Sequence, residues 1–185
     1  MIPDTIRTLT EPEMEPVSLA DAKLQLGMTA DETQWDAFLV DKIGAARELV
    51  ESRLGRTIYA TKFRARWSKE QTELTIPRPP LLIDDNHPFT VTVDGETVPG
   101  SDLEINEDAW PATVAVSGGR TGEVVCEYWA GQLPGSRISR RLKSAMLLYV
   151  THLFENRGVL AADATAVLPK AFETLLASES HSGGY

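Results

Sequence analysis

Residues 150–158, with the sequence VTHLFENRG, carry four side chains of types that do chemistry: His152, Glu155, Asn156 and Arg157. Histidine and glutamate bind Zn²⁺ and transfer protons, so the cluster has the composition of a metal site or a catalytic site. Helical geometry argues against both, because a rotation of about 100° per residue sends Glu155 and Arg157 to opposite flanks. A site needs side chains that converge. We therefore predict that His152 and Asn156 are a buried polar pair that bonds neighbouring backbone, where a helix closes at Gly158.

No other group of residues predicts an active site. His87 lies in a predicted loop and His181 in the C-terminal tail, both apart from His152. Cys126 lies in an apolar strand and is predicted to be a core residue. The glycine-rich stretch 117–122 precedes a strand, whereas a phosphate-binding loop precedes a helix. Six loop acids are predicted to be solvated surface and not a cation site: Asp84, Asp85, Asp102, Glu104, Glu107 and Asp108. The sequence predicts no catalytic residue, no metal and no cofactor.

The composition is that of a globular protein with one main core, 185 residues long, 42% hydrophobic and 24% charged. A net charge of -9 argues against a protein that binds nucleic acid by neutralising phosphates. Cys126 is the only cysteine, so no intramolecular disulfide forms and a reducing cytoplasm is the expected place of synthesis. We find neither a signal-peptide pattern nor a run of 18 apolar residues, and expect no membrane association.

Helical periodicity occurs on both sides of a central region. Ser18 and Asp21 form a capping box before a short helix. Asp31 is the predicted N-cap of a long helix that Gly55 ends, with an apolar stripe of Trp35, Leu39, Ile43, Ala46, Val50 and Leu54. Near the C-terminus, Ser136 is the predicted N-cap of a second long helix, with the stripe Ile138, Leu142, Ala145, Tyr149 and Leu153.

Between residues 58 and 131 the period changes to two, which is typical of strands. Phe63, Ala65 and Trp67 alternate with the charged residues Lys62, Arg64 and Arg66. Asp94 and Gly95 form a hairpin signal. The prolines in the stretch 78–82 have no backbone N–H to donate to a neighbouring strand. The stretch is therefore predicted to be a sheet edge or a connection.

The helix at 136–157 has two features that a simple core helix does not need. Opposite its main stripe lie Leu147, Val150 and Phe154, which predicts either a subunit interface or a central helix wrapped by the β region. Arg137, Arg140 and Arg141 crowd its first turn, where the helix dipole disfavours cations. An acidic partner or a DNA backbone would offset that cost, and a solvated face with long Arg side chains is the alternative.

We predict an α+β fold, a helical bundle of about four helices with an inserted small antiparallel β subdomain. The predicted parts are an extended N-terminal arm at 1–16 with regular structure beginning at Ser18, a helical part of the core at 17–57, the β insert at 58–131, a core helix and loop at 132–167, and a C-terminal docking helix and tail at 168–185.

Several segments occur in an order and spacing that resemble a known family: EPVSLADAKLQL, GAARELVESRLGRTI, IPRPPL, VCEYWAG and LYVTHLFENRG, followed by a later LP before a short helix. Together they resemble the head-tail connector, or adaptor, proteins of tailed bacteriophages and gene transfer agents. The likeness runs from about Glu15 to Leu176. It implies a non-enzymatic virion protein that forms a ring, typically of twelve copies, at the neck of the particle.

The resemblance also implies partners. Such a ring sits beneath the portal protein, seats a further tail or stopper protein, and lets DNA pass through its channel without specific binding. It implies that the C-terminal segment docks on the portal, through Leu168, Pro169, Phe172, Leu175 and Leu176, and that His152 and Asn156 hold the end of the core helix in register. Two alternatives stay open: a metal-dependent hydrolase that acts during DNA packaging, and a monomeric binding module.

Overall fold

The structure, a computed structural model, describes residues 2–68, 72–157 and 170–180. The fold is α+β, as predicted, and the described residues form four helices and antiparallel sheets. The chain divides into two compact units. We call Met1–Met14 with Gly55–Ser136 the β unit, and Glu15–Leu54 with Arg137–Tyr185 the helical unit. None of the described helices combines the length and the apolar character that a membrane crossing requires.

The helical unit contains α1 (Leu19–Gln25), α2 (Asp36–Leu54), α3 (Arg140–Glu155) and α4 (Lys170–Ser180). Apolar residues at helical spacing are buried along α2 and α3, because each helix turns one stripe of side chains toward its neighbours. The buried residues of these two stripes include Leu39, Ile43, Ala46 and Val50 of α2, and Leu142, Ala145, Met146 and Leu153 of α3.

Two predicted helix ends are confirmed. The Ser18 hydroxyl accepts a hydrogen bond from the Asp21 amide at 3.1 Å, and the Asp21 carboxylate accepts one from the Ser18 amide at 3.1 Å, which is a capping box. Hydrogen bonds from the Ser18 side chain and amide lower the pKa of Asp21. Gly55, with φ +64°, follows α2 in the left-handed conformation that closes helices.

Two predicted helix starts are wrong. α2 begins at Asp36 and not after Asp31, because the segment before it folds as turns in which Glu32 accepts a hydrogen bond from the Thr29 amide at 2.7 Å. α3 begins after Ser139, whose hydroxyl accepts from the Leu142 amide at 3.3 Å. Ser136 instead belongs to a turn, with its amide bonded to the Leu133 carbonyl.

Buried ion pairs join the chain before α1 to α2. Arg47 lies between two carboxylates, with Nε 3.0 Å from Glu15 and a terminal nitrogen 3.2 Å from Glu51. Lys23 pairs with Asp36 at 2.6 Å. Pairing of this kind makes buried charges tolerable in an otherwise apolar unit. The sequence did not indicate the Glu15–Arg47 and Lys23–Asp36 pairs, because the partners of each lie on different segments of the chain.

The β unit contains nine strands: β1 (Thr5–Thr10), β2 (Thr61–Trp67), β3 (Glu73–Thr75), β4 (Leu81–Leu82), β5 (Thr90–Val93), β6 (Glu96–Thr97), β7 (Leu103–Asn106), β8 (Thr113–Val116) and β9 (Val124–Ala130). Asp94 and Gly95 both have positive φ and form the predicted hairpin turn between β5 and β6. The predicted edge position of the proline-rich stretch is also observed, since only Leu81 and Leu82 pair, with the end of β9.

Two antiparallel sheets share one core. The larger sheet has the order β1-β2-β9-β5-β6, with β4 also paired to β9, and the smaller has the order β3-β8-β7. Alternation along β2 and β9 turns one side of the larger sheet inward. The core includes Phe63, Trp67, Leu74, Val91, Val114, Cys126 and Tyr128, which come from both sheets.

The N-terminal residues correct one prediction. Regular structure does not begin at Ser18, because Thr5–Thr10 forms β1 and pairs antiparallel with β2, Ile6 opposite Ala65. The free edge of β2 supplies the hydrogen-bond partners that this threonine-rich segment needs. Residues before Glu15 therefore group with the β unit and not with the helices that follow them.

Candidate functional site

The polar cluster at the end of α3 closes the helix with its own side chains. Asn156 Nδ2 donates a hydrogen bond to the His152 carbonyl at 2.8 Å and lies 3.2 Å from His152 Nδ1. Arg157 donates to the Phe154 carbonyl at 2.8 Å, and Glu155 is exposed. The four side chains therefore do not converge on one point. Gly158, the predicted last residue of the helix, lies outside the described residues.

The other residues whose types could take part in catalysis or metal binding are hydrogen-bonded to a neighbour or buried in the core. His87 Nδ1 lies 2.7 Å from Asp84, and this hydrogen bond lowers the pKa of the Asp84 carboxyl. Burial raises the pKa of the Cys126 thiol, which disfavours a nucleophilic thiolate. Within the described ranges, no three histidine, cysteine or acidic residues are grouped so that they could hold a metal ion.

The second apolar face of α3 is only partly available to another subunit. Val150 is 1% exposed and belongs to the core of the helical unit. The reason is that α2 and α4 pack on α3 from more than one side. Leu147 and Phe154 remain half-buried.

Phe154 is part of an aromatic patch in the helical unit. Its ring lies edge-on to Trp35, with centroids 5.4 Å apart, and to Phe38, with centroids 6.1 Å apart. The Arg157 guanidinium lies 4.8 Å from the Trp35 ring centroid and 4.6 Å from that of Phe154. The three rings are half-buried. Trp35 was predicted only as a core residue of α2, because the sequence did not show that it meets the end of α3.

The arginines at the start of α3 lie on the surface. Arg137, Arg140 and Arg141 are exposed, and none of them forms an ion pair with another described residue. Their charges face the amino end of α3, where the free backbone amides are already positive. The repulsion between these arginines and the helix end costs little free energy in water, and the side chains are free to bind carboxylates.

The C-terminal helix packs on α2 and α3 of its own helical unit, and its assignment as a portal-docking helix stays a prediction. Phe172 is 0% exposed and Leu176 is 4% exposed. The Phe172 ring lies 5.7 Å from that of Tyr149 on α3, and Glu179 accepts a hydrogen bond from Ser139 at 2.6 Å. A short amphipathic helix needs a groove, and this chain supplies one. Leu175 is half-buried, whereas Leu168 and Pro169 lie outside the described residues.

The outer side of the larger sheet carries a row of charges that the sequence analysis did not use. Glu127 lies 2.9 Å from Lys62 Nζ and 2.9 Å from Arg64 Nε, and Arg66 pairs with Glu123. Hydrogen bonds from Lys62 and Arg64 lower the pKa of Glu127. An open cavity of about 520 Å³ is lined by Arg64, Arg66, Glu123 and Glu127, together with Thr5 and Arg7. The alternation of Lys62, Arg64 and Arg66 was the available signal.

Comparison with known proteins gives structural relatives only. No family model matches the chain, and no curated protein matches its sequence at a significant level. Among solved structures, a chain in the neck of an empty gene transfer agent (GTA) particle, computed with C6 symmetry, matches with a TM-score of 0.71 and 19% identity over 94% of each chain.

This chain has the fold of a GTA neck protein. A chain in the virion of a native GTA particle matches with a TM-score of 0.70 and 20% identity, again over 94% of each chain. A chain in the neck of a native GTA particle, computed with C12 symmetry, matches with a TM-score of 0.56 and 18% identity, over 89% of this chain and 92% of that one. The GTA neck fold spans nearly the whole sequence, and the family resemblance seen in the sequence is confirmed at the level of the fold.

Proposed function

We propose that this protein is a structural component of a phage-like particle, a ring that joins the portal of the DNA-filled head to the tail. The observation that carries the proposal is the fold likeness to GTA neck chains over 94% of the sequence. The likeness to chains of a virion particle and its neck supports a non-enzymatic role. We interpret the helical unit as the bundle that forms the body of the subunit, with the β unit as its insertion.

The proposed ring is dodecameric. Structures of related fold come from necks computed with C6 and C12 symmetry, which are compatible with twelve copies. In the helical unit, the aromatic patch of Trp35, Phe38 and Phe154 is the proposed subunit contact, together with Leu147. Aromatic and arginine side chains that stay half-exposed in a monomer are typical of the residues that dominate interface energies.

Portal docking is assigned to Arg137, Arg140 and Arg141. They are exposed cations without described partners. Their guanidinium groups could donate charge-assisted hydrogen bonds to carboxylates on the portal. The C-terminal helix is left out of this assignment because its large side chains are buried in the subunit. The opposite side of the ring would seat a further tail or stopper protein.

DNA is proposed to pass through the channel without specific binding. An overall charge of -9 per copy makes a ring strongly acidic, and an acidic channel repels phosphates. The same field would keep the DNA from adhering as it moves. The protein would be made in the bacterial cytoplasm and function in the virion neck.

The proposal is tested by electron microscopy of particles made with and without this chain. We expect density for the chain at the neck, and DNA-filled heads without tails when its gene is deleted. Tailed particles that form without the chain would contradict the connector role. A protein that stays monomeric and is absent from particles would favour a binding module, whereas metal-dependent hydrolysis by the purified chain would favour an enzyme.

A further inference from the structure

The larger sheet of the β unit has an uncovered edge. All six residues of β1 are exposed, although the strand pairs with β2 along its length. Ile6 is 39% exposed and Leu9 is 40% exposed, and among the described residues no strand lies on the other side of β1. An edge strand that buries none of its side chains gains little from folding by itself, and such edges are where chains associate. β1 therefore offers a free edge at which another chain can associate.

The charges beside β1 indicate the chemistry of that partner. Arg7 points to the same side of the sheet as Arg64, its neighbour across the β1–β2 pair. Arg64 is neutralised by Glu127, but Arg7 forms no ion pair with any described residue. The cavity of about 520 Å³ lies between these side chains. We call this surface, defined by Arg7, Arg64 and Arg66, the basic face.

A phosphate backbone fits the basic face poorly. Arg64 and Arg66 already pair with Glu127 and Glu123, so Arg7 is the unpaired cation among the described lining residues, whereas a phosphate backbone is bound by several cations. A protein surface that brings a carboxylate to Arg7 and an apolar side chain to the cavity fits better.

The chain itself carries a surface of that kind. The end of β7 and the turn that follows it expose Glu104, Glu107 and Asp108, none of which pairs with a described cation. Trp110, in the same turn, is 53% exposed. A tryptophan this exposed on a soluble domain is unusual, and tryptophan and arginine are the residues that most often dominate interfaces. We call residues 104–110 the acidic turn.

We propose that the basic face of one copy binds the acidic turn of a second copy. The proposal rests on the ring assembly proposed above and identifies a contact of that ring. Arg7 would pair with the free carboxylates, and Trp110 would enter the cavity, where an arginine stacks on its ring. The two surfaces differ, so the contact is head-to-tail, and repetition with a closing rotation gives a ring.

Charge reversal on each surface tests the pairing. In Arg7→Glu, and in the double variant Glu107→Arg with Asp108→Arg, like charges meet in every contact, and we expect the apparent dissociation constant for self-association to rise about tenfold or more. The matched controls are Lys170→Glu and Glu48→Arg, exposed charges of the helical unit. Sedimentation velocity across a range of concentrations gives the constants, and circular dichroism verifies that each variant is folded.

Mixing the two reversed variants gives a sharper test. In an alternating ring, the acidified face of one chain meets the basic turn of the other, and the unchanged face meets the unchanged turn. An equal mixture should therefore assemble where neither variant does alone. Recovery of this kind requires the two surfaces to be partners of each other in a head-to-tail contact.

Cysteine cross-linking applies the test inside particles. Cys126 is buried, so cysteines placed by Arg7→Cys and Asp108→Cys are the reactive thiols. Mild oxidation of particles that carry the double variant should give a ladder of linked chains, and each single variant should give dimers at most. A ladder supports the proposal. Its absence from particles that contain the chain at the neck overturns this contact alone, whereas a chain absent from the particles overturns the connector function and this contact with it.

Discussion

The side-chain amide of Asn156 donates a hydrogen bond to the carbonyl oxygen of His152, at 2.8 Å. Asn156 lies one turn after His152, so its side chain caps the end of α3. The Asn156 amide N–H bonds the same carbonyl at 3.1 Å. His152 Nδ1 lies 3.2 Å from Asn156 Nδ2 and is thereby engaged in this helix end. The Asn156 side chain thus adds a second hydrogen bond to a carbonyl in the last turn of the helix.

Removal of the Asn156 side chain should therefore destabilise the fold without any effect on metal binding. We expect Asn156→Ala to lose about 1 kcal/mol, the usual scale for one hydrogen bond at a helix end. Urea denaturation with Zn²⁺ and with a chelator measures both effects. Wild-type stability that rises with Zn²⁺, and a loss of that rise in His152→Ala, would restore a metal-site interpretation.

Substitutions on the second face of α3 should separate folding from assembly. Val150→Asp places a charge in the core and should unfold the helical unit, since an unpaired buried charge costs several kcal/mol. Leu147→Asp, at a half-buried position, should remain folded and lose ring formation. Thermal denaturation and sedimentation velocity give the two readouts. Rings that form normally with Leu147→Asp would exclude this part of α3 from the subunit contact.

The arginines before and at the start of α3 should matter for attachment and not for stability. Replacing Arg137, Arg140 and Arg141 by Gln relieves repulsion with the helix dipole, so stability should rise by a few tenths of a kcal/mol. Attachment to portal-bearing heads should weaken and become less sensitive to salt. Lys170→Gln, which removes a cation from the start of α4, is the control. If the triple variant attaches as well as the wild type at both low and high salt, these side chains take no part in attachment.

Deletion of residues 170–185 should abolish the cooperative thermal transition of the helical unit. Phe172 and Leu176 fill the groove between α4 and its neighbours, and loss of a buried Phe or Leu each costs about 2–5 kcal/mol. Phe172→Ala should be strongly destabilising and Ala177→Ser, at an exposed position, nearly neutral. A stable truncated chain that fails only to attach would reinstate α4 as a docking element.

The ion pairs on the outer sheet face should make a contribution that depends on pH. The pKa of Glu127 is lowered in the folded state, by Lys62 first and then by Arg64, so its stabilisation is present above the ordinary carboxyl pKa and is lost as pH falls through the lowered value. Glu127→Gln should lose about 0.5–1 kcal/mol at neutral pH and nothing in strong acid. Urea midpoints between pH 2 and pH 7 measure this, with Glu96→Gln as an exposed control. A difference that persists unchanged in acid would exclude the ionic explanation.

Local patterns were sufficient for many elements. The charged and apolar alternation of Lys62 to Trp67 specified a strand with one inward side, and β2 is observed there. The Ser18 and Asp21 capping box and the Asp94-Gly95 turn were predicted because each is formed by residues a few positions apart. The helix starts at Asp31 and Ser136 were wrong for a related reason. Other short-range hydrogen bonds at those positions competed with a helical N-cap, and residue type alone did not rank them.

The sequence by itself determined the α+β class and the order of most elements, because these follow from periodicity and spacing along the chain. Only the tertiary structure decided which exposed or buried state each apolar face takes. Val150 and Phe172, both predicted contact residues, are buried by the packing of α2, α3 and α4, and residues 5–10, predicted to be part of an extended arm, form β1 and pair with β2. Burial and strand pairing depend on partners distant in sequence, and the free energy that selects those partners arises only when the distant segments meet.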